Sequence, residues 1–219
     1  MGNPEIVNWL PIIPIERARP TGTTVHALVN RLHNEDLAVV PTETQYALCA
    51  LATADAAVEA VCRLKGRLGD HPLSAFFRHF DDLRRWGIRV PDHATALAER
   101  FWPGPMTLVL PAEGALARRL GSPKSVGVRV SPEPIIRRML EKLDAPVVAT
   151  SANPSGASMS VAQENRWLQS LAQVHEILWL RPARYVRKTP STVVDCTGPV
   201  PRQLRAGAIS VDDWKGALS

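Results

Sequence analysis

The sequence predicts an α/β protein, a single domain built on a twisted, open, mixed sheet with flanking helices. Three observations carry that expectation. Short apolar runs bounded by proline, glycine or polar residues recur at 37–40, 106–110 and 147–150, and read as buried strands. Between them lie stretches with apolar residues at helical spacing, and this alternation argues a mixed sheet. The 219 residues, 45% apolar and 21% charged, suffice for a large core and sit near the globular average.

Taken in order, residues 1–20 hold Pro4, Pro11, Pro14 and Pro20 with no helical period. They read as an extended N-terminal arm, with the domain proper at 21–219. A helix from Thr21 puts Val25, Leu28, Val29 and Leu32 on one face. A strand at 37–40 stops at Pro41. Residues 54–64 form an amphipathic helix closed by Lys65-Gly66-Arg67, and 72–77 is a further strand. Helices are expected at 81–86 and 91–102, the second with proline at an early helical position. The breaker Trp102-Pro103-Gly104-Pro105 precedes the strand 106–110. A polar excursion at 111–125 contains a short basic helix. The strand 126–130 carries Arg129, and a helix at 132–143 leads to the strand 147–150. A helix at 161–174, strands at 177–180 and 191–196, the segment 204–210 with Arg205, and a terminal helix at 211–218 complete the chain. Neither an internal repeat nor a linker divides it.

Composition narrows the function. Cys49, Cys62 and Cys196 are isolated, and the six histidines form no ligand pair, so no metal site is expected and a reducing cytoplasm is the natural compartment. No apolar run is long enough to cross a bilayer, and the N-terminus lacks the pattern of a signal peptide. The net charge of +5 favours anionic partners. Between 181 and 205 the residues Arg181, Arg184, Arg187, Lys188, Arg202 and Arg205 face only Asp195. A solvated basic face and an RNA footprint explain that excess equally well.

Five polar segments adjoin strands, and each has two readings. Lys65 and Arg67 flank a glycine where a polyphosphate can approach the backbone, yet cations also complement a helix C-terminus. The hydroxyls of Thr42 and Thr44 in 41–46 suit a small polar substrate, or satisfy a turn locally. Ser151-Ala152-Asn153 can read a nucleotide, or simply turn the chain. With the Ser125/Arg129 region and 191–195 plus 204–207, these segments form one electropositive cleft if their strands are neighbours.

The ordered set PTETQYAL, KGR followed by HPL, FWPGPMTLVL, SVGVRVS, ATSANPSG, STVVDCTG and LRAGAIS resembles the YrdC-like family of threonylcarbamoyl-AMP synthases from about residue 37 to 210. The resemblance implies a twisted open α/β sheet with a large positively charged cavity. It also implies synthesis of threonylcarbamoyl-AMP from L-threonine, bicarbonate and ATP, with Mg2+ accompanying ATP. Partner proteins then carry the threonylcarbamoyl group to tRNA adenosine. Longer members have an extra C-terminal domain, for which 219 residues leave no room.

Carried over residue by residue, the resemblance makes Lys65 and Arg67 the phosphate-gripping, catalytic pair. Ser151, Asn153, Ser125, Arg205 and His71 become further ATP contacts. Thr44, Arg129, the backbone carbonyl of Ala149, and Ser191 become the threonine pocket, with Arg129 pairing bidentately with the substrate carboxylate. The chain departs from the family at Ala47-Leu48-Cys49 in place of Gly-Leu-Gly, at Leu68 and His71, and at Phe76 where a polar side chain is common. The former glycines are expected to crowd the backbone and Phe76 to make the substrate end more apolar. No nucleophile-base constellation is visible, which suits a reaction driven by positioning and cations. Two alternatives share these residues: a superfamily relative with another carbamoyl acceptor, and a non-enzymatic RNA-binding accessory protein.

Overall fold

The computed structural model describes residues 12–15, 19–66, 72–153, 160–175, 177–182 and 189–218. In chain order the strands are β1 (Ile12–Ile15), β2 (Ala38–Val40), β3 (Ala47–Leu51), β4 (Ser74–Phe76), β5 (Met106–Pro111), β6 (Ser125–Arg129), β7 (Val147–Ser151), β8 (Leu178–Pro182), β9 (Thr192–Asp195) and β10 (Arg202–Arg205). They form one mixed sheet in the order β1-β8-β2-β3-β7-β4-β6-β5-β9-β10. Pairing is parallel at β1/β8, β2/β8, β4/β6 and β5/β9 and antiparallel elsewhere.

Successive strand side chains point to opposite faces, so each face gathers its own helices. On one face α1 (Gly22–His33) and α5 (Pro134–Leu143) bury Val25, Leu28, Leu32, Ile136, Met139 and Leu140 against Val40, Cys49, Phe76 and Val147. On the other, α2 (Asp55–Leu64) and α3 (Asp92–Phe101) bury Val58, Val61, Ala94 and Leu97 against Leu48, Ala50, Leu108 and Val128. The short helices α4 (Ala115–Arg119) and α7 (Val211–Gly216) add Leu116 and Trp214 to this second cluster. Helix α6 spans Val161–His175. At the start of α1 the Thr21 hydroxyl oxygen accepts from the Thr24 amide at 3.2 Å, satisfying a donor that the helix leaves over.

Four elements differ from the sequence expectation. Ala47–Leu51 is a strand although it lacks β-branched residues; antiparallel partners on both sides hold it. Arg202–Arg205 is also a strand, on the outer edge. Phe80–Trp86 winds as a 3-10 helix rather than an α-helix. Within the arm, Ile12–Ile15 joins the sheet as its opposite edge, parallel to β8. The expected crowding at the former glycines does not occur. Ala47 and Cys49 keep unbroken register with Ser151 and Ala149, and their side chains fill the core under α1 and α5.

The polar segments belong to neighbours. The PTET loop joins β2 to β3, and the strands β3-β7-β4-β6-β5-β9-β10 are consecutive in the sheet. The segments around Thr44, Ser125 and Arg129, Ser151, and Ser191 with Arg205 therefore open from one contiguous run of strands, while Lys65 lies at the end of the helix Asp55–Leu64.

Candidate functional site

The PTET loop is held by Thr42. Its hydroxyl donates to the Gln45 carbonyl at 2.6 Å and accepts from the Thr44 and Gln45 amides at 3.0 and 3.1 Å. Thr42 is thus the turn former that local satisfaction predicts. Both threonines line a cleft, and the Thr44 hydroxyl also accepts from Arg129 Nη2 at 2.9 Å.

Arg129 ends β6 with its guanidinium above the Phe76 ring, 5.7 Å from the centroid, a favourable place for a cation. Nε donates to the Gly104 carbonyl at 3.3 Å, and Nη2 to Glu43 Oε1 at 2.7 Å. Glu43 Oε2 in turn accepts from the Ser131 hydroxyl at 2.7 Å. The Nε–Nη2 edge of the fork is therefore already used by the protein. The bidentate contact expected of Arg129 meets competition on that edge, and among the described residues Nη1 makes no hydrogen bond.

Lys65 ends α2 ahead of Gly66, whose φ of +62° lies in the left-handed region that glycine adopts without strain. Lys65 is only 3% exposed. Its ammonium donates to the Ser151 carbonyl at 2.7 Å, to Asn153 Oδ1 at 3.1 Å, and to the Asn153 carbonyl. Ser151 adds a 2.5 Å bond from its hydroxyl to the same Oδ1. Lys65 thus forms one knot with Ser151 and Asn153, more than eighty residues further on; Ser151 lines the cleft, and the other two are outside its lining. Arg67 and His71 lie outside the described residues.

The far wall is β9 with the segment after β10. Between Gln203 and Arg205 the register slips against β9, and a bulge of this kind re-aims a side chain. Arg205 turns back onto Ser191: Nε and Nη2 donate to its carbonyl at 3.1 and 2.9 Å, and Nη2 reaches its hydroxyl at 2.8 Å. The Ser191 hydroxyl also meets Thr107 at 3.0 Å. Gly207 lies so close that a Cβ there would be 2.3 Å from the Thr192 nitrogen and 2.4 Å from the Ser191 carbonyl carbon. Only glycine permits that contact.

These walls enclose a cleft of about 280 Å3, near the lower end of ligand-sized cavities, roughly 300–1,000 Å3. Thr44, Arg129, Ala149 and Ser191 line it together with Ser125, Ser151 and Arg205. Two guanidinium groups reach its surface, and among the described residues no Asp, Glu, His or Cys does. Phe76 and Ala47 are in the lining and give it apolar surface. Residues that sequence reasoning passed over also contribute. Ser74 donates to the Ala149 carbonyl at 2.7 Å, Thr107 buttresses Ser191, and Glu43 holds Arg129. Glu43 alone carried a signal, as the one acid in a segment that faces a buried arginine.

The described members of the late basic stretch each have a partner within the protein. Arg181 stacks over Trp179 at 5.5 Å, Arg202 meets Asp195 at 3.5 Å, and Arg205 grips Ser191. Arg184, Arg187 and Lys188 lie outside the described residues. No helix among the described residues is long and apolar enough to cross a membrane, and the three cysteines are free thiols.

Comparison with known proteins gives a consistent picture. The family model Sua5/YciO/YrdC, described as "Telomere recombination", matches residues 30–207. The threonylcarbamoyl-AMP synthase of Pyrococcus abyssi is 33% identical over 178 residues, covering 81% of this chain and 52% of that enzyme. This chain therefore spans about half the length of that relative. Among solved structures, P. abyssi Sua5 complexed with L-threonine superimposes with a TM-score of 0.84 at 30% identity, covering 94% of this chain and 60% of that one. E. coli YciO gives 0.82 at 25% identity and covers 93% of this chain and 98% of its own.

Proposed function

We propose, since this chain belongs to the Sua5/YciO/YrdC family, that its cleft makes threonylcarbamoyl-AMP from L-threonine, bicarbonate and ATP and releases pyrophosphate. The observation that carries this reading is the meeting of two sets of residues in one cleft. Thr44, Arg129, Ala149 and Ser191 stand beside Ser125, Ser151 and Arg205, which supports seating an amino acid next to a nucleotide. The P. abyssi Sua5 structure with L-threonine supports the amino-acid half.

In this reading the threonine amine adds to carbon dioxide derived from bicarbonate and gives a carbamate. A carbamate oxygen attacks the α-phosphorus of ATP in line, the bond to the pyrophosphate oxygen breaks, and pyrophosphate leaves. No protein nucleophile is needed, which suits a lining without Cys or His among the described residues. Rate then comes from alignment and from cations at the developing phosphate charge. Arg129 takes the carboxylate, and the Ala149 carbonyl accepts from the amine. Arg67, His71 and Arg205 serve the nucleotide. Lys65 works by fixing residues 151–153 beneath the phosphates. Mg2+ enters as part of the ATP substrate. Partner proteins and a tRNA acceptor in the cytoplasm complete the proposed setting.

Pyrophosphate release by the purified chain, measured with ATP, threonine and bicarbonate each omitted in turn, tests the reading. Release that needs all three supports it; release indifferent to threonine contradicts it. One observation favours a second acceptor: Phe76, 1% exposed, lines the cleft beneath Arg129. A panel of amino acids in the same assay decides between threonine and a more apolar amine.

A further inference from the structure

We infer that Glu43 is a positioning residue for the carboxylate end of the cleft, holding Arg129 so that only its Nη1 end meets the substrate. The inference rests on the proposed amino-acid site and deepens it. Glu43 stands outside the cleft lining while Arg129 lies in it. Their side chains are 16% and 10% exposed and meet at 2.7 Å.

The carboxylate is itself pinned. Oε2 accepts from Ser131, whose hydroxyl oxygen accepts from the Glu133 amide at 3.2 Å just before α5. With Gly104 on Nε and Thr44 on Nη2, one guanidinium ties together the PTET loop, the Gly104 turn and the start of α5. A buried guanidinium without its counter-charge is costly and seeks other acceptors. With Glu43 in place it keeps a single orientation, and a ligand carboxylate pairs with Nη1 without displacing protein groups. The pair is formally neutral, so the remaining Nη1 edge recognises a substrate carboxylate as a directed hydrogen-bond donor rather than through surplus positive charge. It is poorly matched to an amine lacking the carboxylate.

Steady-state pyrophosphate release by the wild type, Glu43→Gln, Glu43→Ala and Ser131→Ala, with threonine and ATP varied separately, tests this. The expected result is a threonine KM raised at least about tenfold in Glu43→Ala, roughly 1.4 kcal/mol, with the ATP KM within about twofold. Glu43→Gln keeps the size and one acceptor oxygen and falls between wild type and Glu43→Ala. Ser131→Ala gives a smaller rise. A folded Glu43→Gln and Glu43→Ala with wild-type threonine KM overturn the inference, as does a parallel loss in both KM values and kcat, which marks a merely structural role. Calorimetry with L-threonine and its decarboxylated analogue separates the two levels. If the wild type binds threonine but releases no pyrophosphate, the proposed activity fails, and the Kd ratio between wild type and Glu43→Ala decides on Glu43. If the wild type does not bind threonine, both fall.

Discussion

Arg129 and Lys65 look interchangeable as cations, yet the structure uses their different shapes. Arg129 spreads a planar fork over Gly104, Glu43 and Thr44, a set of directions that an ammonium cannot reproduce. Arg129→Lys should lower unfolding stability by about 1–3 kcal/mol, since buried acceptors lose their donors, and should raise the threonine KM. Urea unfolding and steady-state kinetics check the two effects. Lys65 is a compact donor to the carbonyls of Ser151 and Asn153. Lys65→Met should abolish pyrophosphate release and also cost about 1–3 kcal/mol, so its loss of activity is not purely chemical. The cysteines give a separate check. Burial, with help from Asp195, pushes the Cys196 thiol up to about 12, and burial alone raises Cys49. A thiol-disulfide reagent needs thiolate. At pH 8 it should leave both silent in the native protein and label all three thiols after unfolding.

At the scale of elements, the β9–β10 hairpin and the segment after it form the wall that most needs local accuracy. Gly207→Ala forces a methyl into the backbone of 190–192, and overpacking of this kind costs about 1–3 kcal/mol. It should also raise the ATP KM, because Arg205 and Ser191 move with that wall. Asp195 secures the other end of the hairpin. Burial works to raise its pKa, but hydrogen bonds from Thr197 and Arg202 outweigh it and hold the carboxyl below its ordinary range. A lowered folded pKa means stabilisation present above the unfolded value, near about 3.9, and lost as pH falls through the folded one. Asp195→Asn should therefore lie below wild type in thermal unfolding at pH 6, with the gap closing as pH falls below about 3.9. This hairpin is also where the sequence was least legible. Arg202–Arg205 is short, charged and exposed, and only its pairing with β9 makes it a strand. Ala47–Leu51 was hidden for the opposite reason. An alanine-rich run carries little strand preference of its own, and neighbours on both sides decide its conformation.

Across the molecule, the apolar runs that fall between clear turn signals were readable because burial writes itself into composition. So were the helices with a continuous apolar stripe, such as Val25 to Leu32 and Ile135 to Leu143. The convergence of the site residues was readable only through their order along the chain. Ser74 and Thr107 were not, because each acts through a partner 75 or 84 residues away, and a sequence shows no such pairing; Glu43 stood in a marked segment, but its arginine partner lies 86 residues on. In the proposed function one cleft joins an amino acid, a one-carbon unit and an adenylate. The sharpest check is mass spectrometry of the product formed from threonine, ATP and 13C-labelled bicarbonate. The expected product is an adenylate carrying threonine and one 13C atom; an unlabelled threonyl adenylate, or AMP and pyrophosphate with no adduct in freshly quenched samples, would contradict that function.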